Sequence, residues 1–167
     1  MIKRISLVII FCCLLYFVFS GFYRKYDIVS QNRIIDSVFN YDGTSYDGYI
    51  YIPRFNVRRL IKKGTDSSIL DDLYVGIHDL SCDIMSDCLV ILAGHNVKSV
   101  FSSLHDISID DEVFICSFVT RRFVVYDKKI VSENDFSYFY DRPNELLLIT
   151  CTDNDGYRLL VFLREVL

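Results

Sequence analysis

The chain has 167 residues, of which 51% are hydrophobic and 15% aromatic, and its formal net charge at pH 7 is −4. Residues 23–167 hold 16 of the 18 basic side chains and all 22 acidic ones, a formal charge of −6. Proteins that bind nucleic acids are normally basic, so this composition disfavours a nucleic-acid partner. A body of this length is enough for one domain with a single buried core.

The first 22 residues predict a membrane anchor. No charged residue lies between Ile5 and Phe22, and a helix of that length is about 27 Å long, close to the ~30 Å hydrocarbon core of a membrane. Basic and aromatic residues flank the run on both sides, as at membrane interfaces. We predict an uncleaved signal anchor over residues 1–22. A cleaved signal peptide is the alternative, since Ser20-Gly21 resembles a weak cleavage site.

Residues 23–47 predict a stalk or an N-terminal helix that leads into turns, because Asp-Gly pairs occur at 42–43 and 47–48. The domain at 48–167 then contains short apolar runs rich in β-branched and aromatic residues, which favour strands. The predicted strands are 48–53, 57–63, 88–95, 112–119, 121–131, 145–151 and 157–163. About seven or eight short strands in one small domain favour a closed barrel or a sandwich.

Two segments between the strands have a different pattern. Residues 66–80 predict a short helix or turn, and residues 97–107 have apolar side chains at helical spacing. Arg121 and Arg122, beside a predicted hairpin turn, are expected to be exposed. His78 and His105 are expected to be surface or packing residues, because no paired motif surrounds them.

Four of the six cysteines lie outside the predicted anchor. Cys116 sits within an apolar run and is predicted to be a small core residue. Cys82 and Cys88 predict either a disulfide or two free thiols, and a metal site is disfavoured because no fourth ligand is evident. Cys151 differs from these because it ends an apolar strand, and Arg158 follows it after a short polar loop.

Three residues form a candidate set for nucleophilic catalysis. The unperturbed pKa of a cysteine thiol is about 8.5, so Cys151 needs a partner such as His95 that holds the ion pair or transfers protons. Arg158 stays charged and is able to stabilise an oxyanion. If 145–151 and 157–163 are antiparallel neighbours, Cys151 and Arg158 lie close together across the pair.

The motifs around these residues resemble those of sortases, the membrane-anchored cysteine transpeptidases of mainly Gram-positive bacteria. The matching stretches are IPRFNVRRLIKKGT (52–65), LAGHN (92–96), FSSLHDISIDDEVFI (101–115) and LLITC (147–151), followed by Arg158 at a spacing that the family uses. The family's cysteine motif is usually T-L-x-T-C, and Leu147 stands in place of its first threonine. The resemblance covers about residues 48–167. It implies a mainly β fold, a closed barrel of about seven to eight strands with short helices.

The resemblance also implies roles for individual residues. Cys151 would be the nucleophile, His95 the general acid and base, and Arg158 the group that holds the substrate carbonyl and the oxyanion. Thr150 and Asn96 would contact the substrate. The substrates would be surface proteins with an LPxTG-like C-terminal sorting signal, and an amine of a cell-wall precursor would resolve the thioester. This chemistry implies no cofactor and no metal.

The same resemblance also implies a cellular location for the protein. The protein would be a single-pass protein of the cell membrane, in contact with membrane lipid, with its catalytic domain outside the cell. Residues 127–144 would form one wall of the groove for the sorting signal. Two alternatives are a membrane-tethered cysteine protease that uses water as the acceptor and a tethered β-domain without catalytic activity.

Overall fold

The fold is taken from a computed structural model that describes residues 2–37, 46–140 and 142–166. It begins with a long helix, α1 (Ile2–Ser37). Within α1, the stretch Ile9–Asp36 is long and apolar enough to cross a membrane, and its most apolar part is not buried in the protein. The predicted anchor and the start of the predicted stalk therefore form one continuous helix. The predicted turn at 42–43 lies outside the described residues, and the division at residues 22 and 47 stays a prediction.

In the part of the chain that the structure describes, eight strands close into a barrel in the order β1-β2-β3-β4-β7-β8-β6-β5. The strands are β1 (Gly48–Ile52), β2 (Val57–Lys63), β3 (Val75–Ile77), β4 (Val90–Ala93), β5 (Glu112–Cys116), β6 (Thr120–Ser132), β7 (Glu145–Cys151) and β8 (Tyr157–Glu165). The pairs β2–β3 and β4–β7 are parallel, and the other pairs are antiparallel. The predicted closed β-barrel is confirmed.

The two segments between the strands each contain a short helix, as residues 66–80 predict, and one of them also contains a strand. Residues 66–80 hold only one short helix, α2 (Ser67–Leu70), and then β3, which the sequence did not predict. Three residues are too few to show a strand pattern, and β3 exists because it pairs with both β2 and β4. Residues 97–107 contain a 3₁₀ helix, Ser102–Asp106. Their apolar spacing reflects burial, since Val100, Phe101 and Leu104 are fully buried in the core.

Two apolar clusters lie on opposite faces of β7. Leu146 and Leu148 point into the barrel interior and belong to the main core. Leu147 and Ile149 point outward and form a second cluster with residues of β4 and β8, against which Tyr138 packs. Successive side chains of a strand point to opposite faces, so a strand covered on both faces is a continuous apolar run. This double burial explains the uninterrupted run that ends at Cys151.

The cysteines outside α1 have different environments. Cys82 and Cys88 form a disulfide in the connection between β3 and β4. Cys116 is only half-buried, so its prediction as a core residue is wrong. It lies on the outer face of β5, while Val113 and Ile115 on the inner face are fully buried. The run is apolar on both faces, and this hides the alternation in the sequence.

Arg121 is buried, contrary to the exposed position that the sequence predicts. Its guanidinium donates two hydrogen bonds to the carboxylate of Glu165, at 2.8 and 2.6 Å, and two more to the carbonyl oxygens of Ile84 and Ser86. The contacts join β6, the end of β8 and the disulfide loop. Removing one member of a buried ion pair leaves an uncompensated charge.

Glu165→Gln is therefore expected to lower the free energy of unfolding by about 3 kcal/mol, measured by urea denaturation. The control is Glu112→Gln, which breaks the exposed pair with Arg122 and should cost at most about 1 kcal/mol. Arg121 lowers the pKa of Glu165 through hydrogen bonds and charge. The stabilisation is thus present above the unfolded-state pKa and is lost as the pH falls through the folded-state pKa. Equal losses of unfolding free energy in the two variants would contradict this role. A stability difference between the wild-type chain and Glu165→Gln that persists in acid would also contradict it.

Candidate active site

The turn between β7 and β8 brings Cys151 and Arg158 together. The two residues are register partners in the antiparallel pair, as the sequence predicts. Thr152 at the start of the turn accepts a hydrogen bond from Asn154 N at its Oγ1 and donates one to the carbonyl oxygen of Asn154. Gly156 has φ +80°, a left-handed conformation that glycine adopts without a steric penalty. The turn therefore sets the position of the thiol relative to the guanidinium.

Cys151 and Arg158 both lie on the outer face of the barrel. Alternation along β7 places Cys151 on the same side as Leu147 and Ile149, and alternation along β8 places Arg158 with Leu160. The thiol and the guanidinium are thus at the open end of the outer apolar cluster. Both side chains are half-buried, so they remain accessible to a molecule that binds on this face.

His95 reaches the same end of the barrel because β4 runs parallel to β7. Ala93 pairs with Ile149, and the next residue along, Gly94, donates a backbone hydrogen bond to the carbonyl oxygen of Ile149. A Cβ at Gly94 would lie 2.7 Å from the ring of Phe101, so glycine allows the close packing of Phe101 behind this segment. The carbonyl oxygen of His95 accepts hydrogen bonds from the backbone of Val97 and Phe101. The backbone that carries the imidazole is therefore well fixed.

One groove of about 290 Å³ is lined by all three residues, His95, Cys151 and Arg158. The segment after β6 contributes Glu133, Phe136 and Phe139 to one side of the groove. The groove is also lined by residues at or just after the ends of β2, α2 and β4, which are Thr65, Leu70, Ala93 and Gly94. The groove thus combines an apolar wall with a thiol, an imidazole and a guanidinium at its end.

Two carboxylates contact the predicted catalytic side chains, one at His95 and one at Arg158. His95 Nε2 lies 3.0 Å from Asp71 Oδ1. Arg158 donates to Glu133 Oε2 at 2.8 Å and to the carbonyl oxygen of Tyr157 at 3.1 Å. Neither carboxylate was predicted. Asp71 is 24 residues from His95 and Glu133 is 25 residues from Arg158, and no local pattern in the sequence indicates such contacts.

Comparison with models of known protein families shows the family to which the chain belongs. The family model described as the sortase domain matches residues 50–166, which is more than half of the chain. The chain belongs to the sortase family. A search of the curated proteins gives no match.

Solved sortase structures have the same barrel. Sortase C1 of Streptococcus agalactiae is 25% identical, with a TM-score of 0.69 over 76% of this chain and 70% of that one. Sortase C-1 of Actinomyces oris is 22% identical, with a TM-score of 0.70 over 88% and 97%. Sortase A of Listeria monocytogenes is 21% identical, with a TM-score of 0.67 over 74% and 88%. Sortases of more than one type are similar to this chain, so the likeness does not assign a subclass.

Thr150 and Asn96 have different surroundings in this sortase domain. Thr150 is 2% exposed, alternation points its side chain into the barrel, and its Oγ1 has no hydrogen-bond partner among the residues that the structure describes. Asn96 donates a hydrogen bond from Nδ2 to Asp153 Oδ1 at 3.3 Å, across to the β7–β8 turn. Contact of these two residues with a substrate stays a prediction.

The remaining two histidines lie close to the sortase groove. His78 lines the groove, its ring stacks on Phe139 with centroids 5.4 Å apart, and its Nδ1 accepts a hydrogen bond from the backbone of Leu80. His105 Nε2 lies 3.3 Å from the carbonyl oxygen of Cys151. Both are half-buried residues that pack against other side chains or the backbone, in line with the sequence prediction.

Proposed function

We propose that this sortase-family chain is a cysteine transpeptidase that cleaves an LPxTG-like C-terminal sorting signal and joins the substrate protein to an amine of the cell wall. The observation that supports this most strongly is the cross-strand pair of Cys151 and Arg158, on one face, in a groove that His95 also lines. A nucleophile, a proton-transfer group and an oxyanion donor that meet at one place are the requirements of acyl transfer.

In the first half of the reaction, the Cys151 thiolate attacks the carbonyl carbon of the residue before the scissile bond. Arg158 donates hydrogen bonds to the oxyanion that forms. A guanidinium has five N–H donors, and the bonds to Glu133 and Tyr157 use two of them. The protonated imidazole of His95 gives its proton to the leaving amine, the C–N bond breaks, and a thioester remains on Cys151.

In the second half, an amine attacks the thioester carbonyl. His95 accepts the proton that the amine loses, and the carbon–sulfur bond breaks to release the Cys151 thiolate. A new amide bond replaces the one that was cleaved, so the thioester conserves the free energy of the original bond. The cycle is balanced in protons and needs no oxidant, reductant or nucleotide.

The apolar wall of the groove suits the leucine and proline of an LPxTG-like signal. Phe136 is 57% exposed, and it lies close to Phe139, with ring centroids 5.7 Å apart. Binding an apolar peptide segment here would remove both rings from water, which is favourable by about 25 cal/mol per Å² of apolar surface. This burial supports the proposed peptide class.

The experiment that tests this function uses the full chain in detergent with a peptide that contains an LPxTG-like motif. Intact-protein mass spectrometry should detect the peptide's acyl part on the enzyme. Adding an amine such as an oligoglycine should convert the hydrolysis product into an amide-linked product. If only the hydrolysed peptide forms at every amine concentration, the protein is a cysteine protease that uses water as the acceptor. If no acyl-enzyme forms with any such peptide, the tethered β-domain without activity is favoured.

The proposed substrates lie outside the cytoplasm, so we expect α1 to anchor the chain in the cell membrane with residues 46–166 outside. Protease added to intact cells without a wall should then degrade the barrel, which an antibody against the domain would detect. A cytoplasmic protein serves as the control for cell integrity. A barrel that is protected until the membrane is permeabilised would contradict this orientation.

A further inference from the structure

The segment that carries Asp71 is held next to His95 by contacts with three parts of the protein. Asp71 caps the C-terminal end of α2, where its backbone N–H donates a hydrogen bond to the carbonyl oxygen of Ser67. The following residue, Asp72, accepts a hydrogen bond at its carbonyl oxygen from Gln31 of α1, and the Gln31 side chain is buried. Leu73 is buried in the core. The segment that carries Asp71 is therefore fixed on both sides of the residue.

The contact between Asp71 and His95 determines where the imidazole carries its proton. His95 Nε2 lies 3.0 Å from Asp71 Oδ1. An ionised carboxylate only accepts hydrogen bonds, so Nε2 must be the donor and must carry the hydrogen. In the neutral imidazole the other nitrogen, Nδ1, is then unprotonated and free to accept a proton.

We propose that Asp71 is a positioning residue that keeps a proton on Nε2 of His95, so that Nδ1 is the nitrogen that exchanges protons with the substrate and the acceptor amine. This inference rests on the proposed transpeptidase reaction. During acylation, the proton on Nδ1 moves to the leaving amine and the proton on Nε2 stays in the hydrogen bond to Asp71. During deacylation, the incoming amine returns a proton to Nδ1.

Asp71 acts through His95 rather than on the substrate. Asp71 does not line the groove that holds Cys151. It lines a separate surface cavity with five residues of α1, which are Tyr16, Phe19, Ser20, Tyr23 and Asp27. Its side chain is 70% exposed and that of His95 is 37% exposed. An exposed pair of this kind is weak. We therefore expect a loss of about tenfold in kcat, a small part of the ~10²–10⁴ that a positioned acid–base group supplies, with KM for the peptide unchanged.

The first test reads the tautomer directly and needs no substrate. The full chain is labelled with ¹⁵N at histidine and studied in detergent at alkaline pH. Its two-bond ¹H–¹⁵N NMR spectra report which ring nitrogen carries the hydrogen. The chain has three histidines, and the signals that disappear in His95→Gln identify His95. The expected wild-type pattern is a protonated Nε2 and an unprotonated Nδ1. In Asp71→Ala the His95 signals should move toward a mixture of tautomers, while those of His78 and His105 stay unchanged.

The second test compares three side chains at position 71. Asparagine keeps an acceptor oxygen without the charge, and alanine removes both, so kcat should fall in the order Asp71, Asp71→Asn, Asp71→Ala. The matched control is Asp72→Ala, which removes an exposed carboxylate one residue away and should leave kcat unchanged. All variants should melt within a few degrees of the wild-type chain, since the carboxylate is exposed.

The outcomes separate this inference from the proposed function. A His95 ring that carries its proton on Nδ1, or an Asp71→Ala variant with the kcat of the wild-type chain, would overturn the positioning role even if the wild-type chain is an active transpeptidase. If the wild-type chain forms no acyl-enzyme, the proposed function fails, and the NMR spectra still decide whether Asp71 sets the tautomer of His95.

Discussion

Replacing Cys151 with alanine is expected to abolish the acyl-enzyme and every product derived from it. Alanine offers no nucleophile, and loss of a catalytic nucleophile costs on the order of 10⁶ in turnover in enzymes with a comparable mechanism. The residue is half-buried at the end of β7, so removal of one sulfur atom should leave the barrel folded. Intact-protein mass spectrometry after incubation with the peptide should show the unmodified mass only.

Cys116→Ala is the matched control for this variant. Cys116 is also a free, half-buried cysteine at the end of a strand, but it lies on β5, away from the groove. Both variants keep the two free cysteines of α1, Cys12 and Cys13, so any background reaction at those thiols is the same. Wild-type acylation by Cys116→Ala is expected. Acylation of the Cys151→Ala variant at the wild-type rate would show that the thiol of Cys151 is not the nucleophile.

Arg158→Lys is expected to lower the acylation rate by ~10²–10³, the usual cost of losing one well-placed oxyanion donor. Lysine keeps the positive charge but has no planar fork of N–H groups, so the substitution tests geometry rather than charge. The ion pair with Glu133 is half exposed, at 33% and 43%, and such pairs contribute at most about 1 kcal/mol. The melting temperature should therefore change little.

The control for Arg158→Lys is Arg164→Lys, on the same strand. Arg164 is exposed, and its guanidinium lies over the ring of Tyr126, 5.1 Å from the centroid. Its replacement should leave the acylation rate unchanged. The acylation rate and the melting temperature are measured on the same preparation of each variant. A wild-type rate in Arg158→Lys would assign the oxyanion role to another donor.

The sequence by itself determined the β-rich class, the approximate bounds of seven strands and the apolar N-terminal segment. These features depend on local properties, namely side-chain alternation, β propensity and turn residues. It also indicated that Cys151 and Arg158 lie close together if their strands pair, because a hairpin with a short turn leaves little freedom in register. The structure then gives the register itself. The motifs around His95 and Cys151 are short stretches of sequence, and they indicate the sortase family by themselves.

Tertiary structure alone decided which distant residues meet. The strand β3 forms only because β2 and β4 pair with it on both sides. Burial of Arg121 depends on the carboxylate of Glu165, 44 residues away. The contacts of Asp71 with His95 and of Glu133 with Arg158 likewise require the closed barrel to bring separate connections close to β4 and β8. Which of these contacts form depends on which strands pair across the whole domain. A local pattern of residues does not specify that pairing.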